Sequence, residues 1–281
     1  FLAINVAAFA GSARGFYVFL ESNTVKEGGI IKLTIGAPKA ARAADIEFMG
    51  KTYPAFFKGY KVNDRDMVYT AMVPVALGTK GRQKLTIKVL MPQGIEHKDE
   101  NINIKKILEV KSEVKTGGRM NKELLETLRR ENRIIHAAVE PVTAVRYELP
   151  FINPAEGEIS TVFGASRSYD GGEAGWRHKG IDIAAKTGTN VKASNHGTVV
   201  LAAAGKAYGN SVIVDHGGGI YTLYFHMHRL FVKKGDRVAK GDVIGTVGST
   251  GLSTGPHLHY QMDLFSVPVN PAELSEIKQK N

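Results

Sequence analysis

Cysteine is absent from the 281 residues, and this excludes disulfide bonds, thiolate metal ligands and a cysteine nucleophile. Any bound metal ion must therefore be held by His, Asp or Glu side chains. The absence says nothing about compartment, because exported proteins without cysteine are common.

Long hydrophobic runs are absent as well. Residues 1–10 are nearly all apolar, but ten residues cannot cross a bilayer, and no later run reaches about 18 residues. We therefore expect no transmembrane segment in this chain. Residues 1–10 match either the end of a secretory hydrophobic region, with Ala8-Phe9-Ala10 as its cleavage site, or a buried first strand.

Basic residues never form a long run, although the formal net charge is +10. They occur as scattered pairs such as Lys105-Lys106 and Arg129-Arg130, and no nucleic-acid-binding module accompanies them. We expect no nucleic-acid partner. The basic surface would suit another polyanion, such as anionic lipid or an acidic envelope polymer, or would simply be solvated.

Short β-strands are predicted between Phe16 and about Met91. The segments are rich in β-branched and aromatic residues and are separated by Gly, Pro, Asn and Asp. About seven strands in about 90 residues favour an immunoglobulin-like β-sandwich. We predict a β-rich N-terminal domain over residues 1–110, without a candidate catalytic cluster.

One helix is predicted, from about Asn121 to Ala138, within a helical connector over residues 111–150. Asn121 is suited to cap the helix N-terminus. Apolar residues recur at nearly helical spacing, and Pro141 follows the helix. The apolar stripe consists of Leu124, Leu125, Leu128, Ile134 and Ile135.

Residues 151–281 are predicted to form a second, mainly antiparallel β domain. Glycine is frequent there, and short apolar segments follow one another without a helical pattern. Two segments share a Gly-and-Val frame that is also seen in lipoyl and biotinyl carrier hairpins. A carrier module is disfavoured, because no lysine stands at a convincing hairpin tip.

Histidines are concentrated in this second domain, where seven of the nine fall between residues 178 and 259. His257 and His259 stand two residues apart, so on a strand they point to the same face, about 6.6 Å apart. Both could reach one metal ion, or one could bind metal while the other faces the substrate. A solvent-facing pair is the alternative.

His178 and Asp182 form a second candidate pair. On a regular strand they would lie about 13 Å apart, too far to share an ion, whereas a bend or bulge at Gly180 could bring them together. His226 lies on an apolar, aromatic strand and could equally be a core histidine. His228 follows on the same predicted face, and the remaining two histidines of this region, His196 and His216, fall at turns and suit structural roles.

Residues from about Phe151 to Pro271 resemble the lysostaphin and LytM family of zinc metallopeptidases, also called duplicated hybrid motif peptidases. Several separated segments match in family order: ISTVFGASR, HKGIDIAAKTGTNVKAS, YGNSVIVDHGGGIYTLYFHM and GSTGLSTGPHLHYQM. The resemblance implies an antiparallel sheet that frames an open groove with Zn²⁺ on its floor. It also implies that His178, Asp182 and His259 bind the metal and that His226 and His257 are catalytic. Met227 stands where the family usually has Leu.

The resemblance further implies an exported enzyme of the periplasm or cell envelope that hydrolyses peptides of bacterial peptidoglycan. The family cleaves either Gly-Gly bonds or the D-Ala–diaminopimelate cross-link, and the extra N-terminal domain favours the second, which is cut by a D,D-endopeptidase. An anionic cell-wall polymer would suit the basic surface. Three protein ligands leave a zinc position open for water, which is typical of a catalytic site. The motif has no glutamate base, so His226 and His257 are the candidates for proton transfer.

The main alternative is a catalytically inactive protein of the same fold that binds peptidoglycan or activates an amidase. Such relatives lose metal ligands, whereas this sequence retains all five site residues. A separate hypothesis is that residues 1–150 occlude or orient the groove, since an upstream segment blocks it in some members of the family.

Overall fold

The computed structural model describes residues 15–60, 66–115, 117–118, 121–172 and 175–277. Residues 1–10, with their two alternative interpretations, lie outside this range. The chain divides into two compact units. The first comprises Phe1–Thr24, Ile31–Val73 and Arg82–Asn103, and the second comprises Val25–Ile30, Pro74–Gly81 and Ile104–Asn281.

The N-terminal half consists of strands, as predicted. Their bounds are β1 (Tyr17–Leu20), β2 (Thr24–Lys26), β3 (Ile30–Pro38), β4 (Ala43–Phe48), β5 (Lys51–Pro54), β6 (Phe56–Tyr60), β7 (Asp66–Pro74), β8 (Gly81–Met91) and β9 (Gly94–Lys105). They form a sheet of order β1-β3-β7-β6 and a sheet of order β2-β9-β8-β4-β5. Every second residue of β4 is buried, so that strand presents one apolar face. The immunoglobulin-like arrangement stays a prediction.

The predicted helix is confirmed as α1 (Lys122–Ala138), with the Asn121 side chain accepting a hydrogen bond from the Leu124 amide at 2.9 Å. One member of the predicted stripe is wrong, because Ile134 is 53% exposed. Successive helical residues turn by about 100°, so Ile134 points well away from the direction shared by Leu128 and Ile135.

The second unit is mainly antiparallel β, which confirms the predicted fold class. Its strands are β10 (Lys111–Val114), β11 (Glu158–Thr161), β12 (Ser166–Tyr169), β13 (Trp176–Arg177), β14 (Ile181–Ala184), β15 (Asn190–Lys192), β16 (Gly197–Ala204), β17 (Asn210–Gly217), β18 (Ile220–Met227), β19 (Arg229–Leu230), β20 (Arg237–Val238), β21 (Val243–Thr246), β22 (His257–Leu264) and β23 (Val267–Val269). A short 3-10 helix, Pro271–Glu273, follows.

The main sheet of this unit has the order β11-β14-β22-β18-β17-β16-β20, with β23 paired to β22. The smaller sheets are β15-β21-β19 and β10-β12-β13, in which β10 and β12 run parallel.

Both faces of the central strands are covered, which explains their nearly continuous apolar sequences. Every residue of β18 is buried. One face belongs to a core that includes Tyr224, Leu258 and Tyr260. The other face carries Leu223 and Phe225, and residues of α1 and of the segment that follows it pack in the same cluster. Helix α1 therefore covers part of the sheet face that also carries the histidines described next.

Candidate metal centre

Strand pairing brings Asp182 and His259 together from distant parts of the sequence. β14 and β22 are antiparallel neighbours, with Asp182 opposite His259 and Ala184 opposite His257. Opposed residues of an antiparallel pair point to the same face of the sheet. This register therefore places the carboxylate and both histidines of the His-x-His motif on one face.

His178 joins them because the chain bends at Gly180 just before β14 begins. The expected bend is therefore present, and no register shift interrupts the pairing of β14 with β22. A Cβ atom on residue 180 would lie 2.3 Å from the Tyr260 carbonyl oxygen and 2.9 Å from His259 Nε2. Glycine is thus the residue that allows this close approach.

The three candidate ligand atoms converge. His178 Nε2 lies 2.9 Å from His259 Nδ1 and 3.0 Å from Asp182 Oδ1, and His259 Nδ1 lies 2.9 Å from the same carboxylate oxygen. All three residues are buried. Two imidazole nitrogens and one carboxylate form a donor set that suits a divalent transition metal such as zinc. These residues therefore form a group that could hold a metal ion.

A hydrogen bond at Nδ1 of the His178 ring leaves Nε2 available to bind a metal ion. Its Nδ1 lies 3.0 Å from the carbonyl oxygen of Val162, which can only accept a hydrogen bond. Nδ1 therefore carries the proton, and Nε2 presents its lone pair to the cluster. A carbonyl that fixes the tautomer in this way is typical of metal-binding histidines.

Electrostatics favour the protonation states that bind metal. Burial lowers the pKa of His259 to about 4, so the ring is neutral at pH 7. Burial by itself would raise the pKa of Asp182, but the charge and hydrogen bonds of His178 and His259 lower it well below its ordinary value. The group thus combines a neutral imidazole with an ionised carboxylate.

Arg167 completes the surroundings of Asp182, and the sequence analysis missed it. From β12, its Nη2 donates a hydrogen bond to Asp182 Oδ2, while Oδ1 faces the two histidines. The guanidinium therefore fixes the carboxylate and leaves one oxygen for a metal ion. The only sequence signal was its position at the end of the matching segment ISTVFGASR.

His226 lies beside this group at the end of β18. Its backbone has φ +63°, a left-handed conformation that is uncommon for histidine. Its amide donates to the Tyr208 carbonyl at 3.0 Å, and its Nδ1 donates to the Thr250 carbonyl at 2.8 Å. Nε2 is left with its lone pair. Burial, followed by the charges of His257 and His259, lowers the pKa of His226 to about 3, so it is neutral at pH 7.

His257 is the neighbour of His226, with ring centroids 4.9 Å apart. Its Nδ1 donates to the Gly255 carbonyl at 2.8 Å, and its Nε2 lies 3.9 Å from Asp182 Oδ1. The structure thus gathers all five predicted site residues, with three at the possible metal position and the imidazoles of His226 and His257 at its edge.

The other histidines of the C-terminal region lie elsewhere. His228 is exposed, because the left-handed conformation at His226 breaks the alternation that would have put both on one face. His216 is buried and lies 2.7 Å from both the His196 carbonyl oxygen and Thr222 Oγ1. These contacts suit the structural role expected for His216.

A groove runs over the histidines, and helix α1 contributes to its wall. The residues that line it are Leu128, Asn132, Arg167, Tyr169, Trp176, Arg177, His178, Lys179, Ala207, Tyr208, His226, Leu252, His259 and Gln261. His178, His226 and His259 line this groove, so a substrate bound in it would lie beside groups that can bind metal and transfer protons.

Comparison with known proteins places this geometry in a family. The sequence profile described as "Peptidase family M23" matches residues 176–271. Residues 176–271 form an M23 peptidase domain. The matched segment contains all five predicted site residues, and the resemblance inferred from the sequence is thereby confirmed.

Relatives of the M23 domain include bacterial proteins named as endopeptidases. The chain is 46% identical over 101 residues to the DD-carboxypeptidase/endopeptidase Mpg of Neisseria meningitidis, which is 36% of this chain and 23% of that protein. It is 43% identical over 93 residues to the peptidoglycan DD-endopeptidase ShyA of Vibrio cholerae, 33% of this chain and 22% of that protein. The matches thus span less than a quarter of these relatives.

A solved structure matches beyond the M23 domain. It is the crystal structure of a protein from Pseudomonas aeruginosa described as a peptidase M23, with 26% identity and a TM-score of 0.65. The match covers 90% of this chain and 95% of that one. Within the described residues, no helix has the length and apolar character needed to cross a membrane.

Proposed function

We propose that this chain is a zinc-dependent endopeptidase that hydrolyses peptide cross-links of bacterial peptidoglycan. The observation that carries the proposal is the convergence of His178, Asp182 and His259 beside two further imidazoles whose Nε2 atoms are free to accept a proton. Relatives named as DD-endopeptidases support the D-Ala–diaminopimelate bond as the scissile bond.

His178 Nε2, Asp182 Oδ1 and His259 Nδ1 would hold the zinc ion. Zinc at such a site acts as a Lewis acid that polarises a peptide carbonyl and lowers the pKa of water toward about 7. Arg167 supports this arrangement, because its hydrogen bond to Asp182 Oδ2 directs the other carboxylate oxygen to the metal position.

His226 and His257 would perform the proton transfers. Each has Nδ1–H donated to a backbone carbonyl, so each ring is fixed with Nε2 as its free nitrogen. In that tautomer one imidazole can take a proton from water, and an imidazolium at the same position can donate to the leaving amine. Burial lowers the pKa of His226 and favours its neutral form, so its Nε2 carries a lone pair at pH 7.

The chain is also proposed to act in the periplasm or cell envelope, where its substrate lies. Its net charge of +10 suits association with an anionic wall polymer. Adding salt should therefore weaken binding of the whole chain to isolated cell walls.

The test is mass analysis of the products that the purified, zinc-loaded chain releases from cross-linked muropeptides. We expect dimers to be cut to monomers with gain of one water, and chelation of zinc to stop the reaction. Release of tripeptide-containing glycan fragments without cutting of dimers would contradict the scissile bond. A zinc-loaded chain that binds walls and cuts no wall peptide would instead indicate the non-catalytic alternative.

A further inference from the structure

Helix α1 lies outside the residues that match the M23 family, yet one of its side chains is tied to the loop beside the catalytic groove. That side chain is Glu131, and the loop joins β16 to β17. Glu131 Oε1 accepts from the Lys206 amide at 2.7 Å, and Oε2 accepts from the Tyr208 amide at 3.0 Å. The Ala207 amide lies 3.2 Å from both oxygens.

Three successive amides therefore converge on one carboxylate. This is an arrangement that anchors a loop tightly, because hydrogen bonds to an ionised acceptor are stronger than neutral ones. Gly205 gives the carboxylate room, since a Cβ atom there would lie 2.6 Å from Glu131 Oε2. A further bond from Tyr208 Oη to Asn132 Oδ1, at 2.9 Å, joins the same loop to the next helical residue.

The anchored loop reaches His226 directly. The Tyr208 carbonyl accepts the His226 amide at 3.0 Å, and the Tyr208 ring packs on Phe225 with centroids 4.6 Å apart. His226 needs such support because its left-handed backbone, with φ +63°, is intrinsically unfavourable. Thr250 also anchors His226, since its carbonyl accepts from the ring and its amide donates to the His226 carbonyl oxygen at 3.4 Å, but neither bond holds the His226 amide.

We propose that Glu131 is a positioning residue for His226: helix α1 holds the 205–209 loop, and the loop holds the catalytic histidine in its strained conformation. The proposal rests on the function proposed above. It gives this part of the segment before residue 150 a role in orienting the groove. Removing the carboxylate contact should let His226 drift, and misplacement by about 1 Å can cost about a hundredfold in rate.

The test compares Glu131→Gln with Glu126→Gln in the full chain. Glu126 is exposed on the same helix and serves as the matched control. We expect Glu131→Gln to lower kcat about tenfold or more, with KM within about twofold and zinc content unchanged, and Glu126→Gln to behave as the unmutated chain. Rates are measured well below the unfolding midpoint of each variant, so that a loss of global stability does not contribute.

A second variant reaches the same contact from the loop. Gly205→Ala places a methyl group against the Glu131 carboxylate, and Gly205 does not have the positive φ that would disfavour alanine. We expect a similar fall in kcat, and less than the product of the two effects in the double variant, because both changes break one contact. Multiplicative effects, or an unchanged kcat in both single variants, would overturn the proposal.

Amide hydrogen exchange at Lys206, Ala207 and Tyr208 gives a readout that does not depend on catalysis. We expect faster exchange at these amides and at His226 in Glu131→Gln, and exchange like that of the unmutated chain in Glu126→Gln. Exchange unchanged in Glu131→Gln would overturn the positioning role even if the unmutated chain cut no peptide. An unmutated chain that cuts no peptide would contradict the proposed function and would leave the exchange result to be judged by itself.

Discussion

In three of the four site histidines, a backbone carbonyl fixes one ring nitrogen, and this leaves the other nitrogen for chemistry. In His178, His226 and His257 a backbone carbonyl accepts a hydrogen bond from Nδ1–H, so Nε2 is left for metal or for proton transfer. His259 is turned the other way, with Nδ1 facing Asp182. The His-x-His motif thus offers two rings of different orientation, which suits a ligand and a proton-transfer group on one strand.

Alanine substitutions should separate these two roles. We expect His259→Ala to lose both zinc and turnover, because it removes a ligand atom. His257→Ala should keep zinc and lose turnover by about a hundredfold or more, the usual contribution of a general acid or base. Elemental analysis after desalting and muropeptide assays would measure both quantities.

His228→Ala is the matched control for these variants, since His228 is exposed and lies outside the site. It should retain zinc and full activity. Loss of zinc from His257→Ala would show that His257 is a metal ligand. Another residue would then have to perform the proton transfer assigned to it.

At the scale of elements, the site depends on the backbone conformation at the starts and ends of three neighbouring strands. β14 starts directly after the bend at Gly180, β22 starts with the His-x-His motif, and the last residue but one of β18 is left-handed. The ligands therefore come from strand ends and a bend, whose geometry is set by close backbone approach rather than by side-chain packing.

Gly180→Ala should test the importance of this close approach. A methyl group 2.3 Å from the Tyr260 carbonyl must push the start of β14 away from β22. We expect zinc affinity to fall by about tenfold or more, because His178 and His259 move apart while both side chains remain. Competition with a chromogenic zinc chelator would measure the change.

Gly175→Ala is a suitable control, because a Cβ atom there meets nothing within 4 Å. Its zinc affinity should equal that of the unmutated chain. Equal affinity in Gly180→Ala would mean that the bend tolerates a side chain and that the ligand geometry has another cause.

Across the whole molecule, the unit that carries the site is not confined to the C-terminal part of the sequence. It includes Val25–Ile30 and Pro74–Gly81, which lie along the sequence between segments that belong to the other unit. Within this unit the buried Glu27 accepts a hydrogen bond from the Gly78 amide at 2.6 Å and lies 3.5 Å from Arg177 Nη2. The predicted boundaries at residues 110 and 150 stay predictions.

Stability of this unit should depend on pH through His216. Burial lowers its pKa to about 4, against about 6.5 in the unfolded chain, so unfolding takes up a proton between these values. The contribution of neutral His216 is therefore present above about pH 6.5 and is lost as pH falls toward 4. One group of this kind changes the free energy of unfolding by about 1.4 kcal/mol per pH unit, or about 3 kcal/mol in all.

Urea unfolding followed by fluorescence would measure this effect, because the single tryptophan, Trp176, lies in the same unit. The metal-chelated chain and its His216→Gln variant are compared at several pH values between 4 and 7. The variant should be less stable at pH 7 and should show a shallower pH dependence. Parallel pH curves would contradict a buried, neutral His216.

The sequence predicted the helix and the chemistry because both depend on local signals. The helix follows from a capping Asn121 and a periodic apolar face, and the candidate ligands follow from short-range spacing together with the family resemblance. The same reasoning failed for Ile134 and could not distinguish His226 from a core histidine. The exposure of Ile134 depends on its angular position around the helix. The position of His226 depends on a left-handed backbone near the end of a strand.

The amino-acid sequence by itself determined which side chains are available to bind metal and transfer protons, and which segments form strands. Only the tertiary structure decided that Arg167 fixes Asp182, which nitrogen of each histidine is free, and that Glu131 anchors the loop behind His226. Apart from the local bond between His257 and Gly255, these contacts join residues 15 to 77 positions apart. They depend on strand register and on the docking of α1, so no local pattern of residues specifies them.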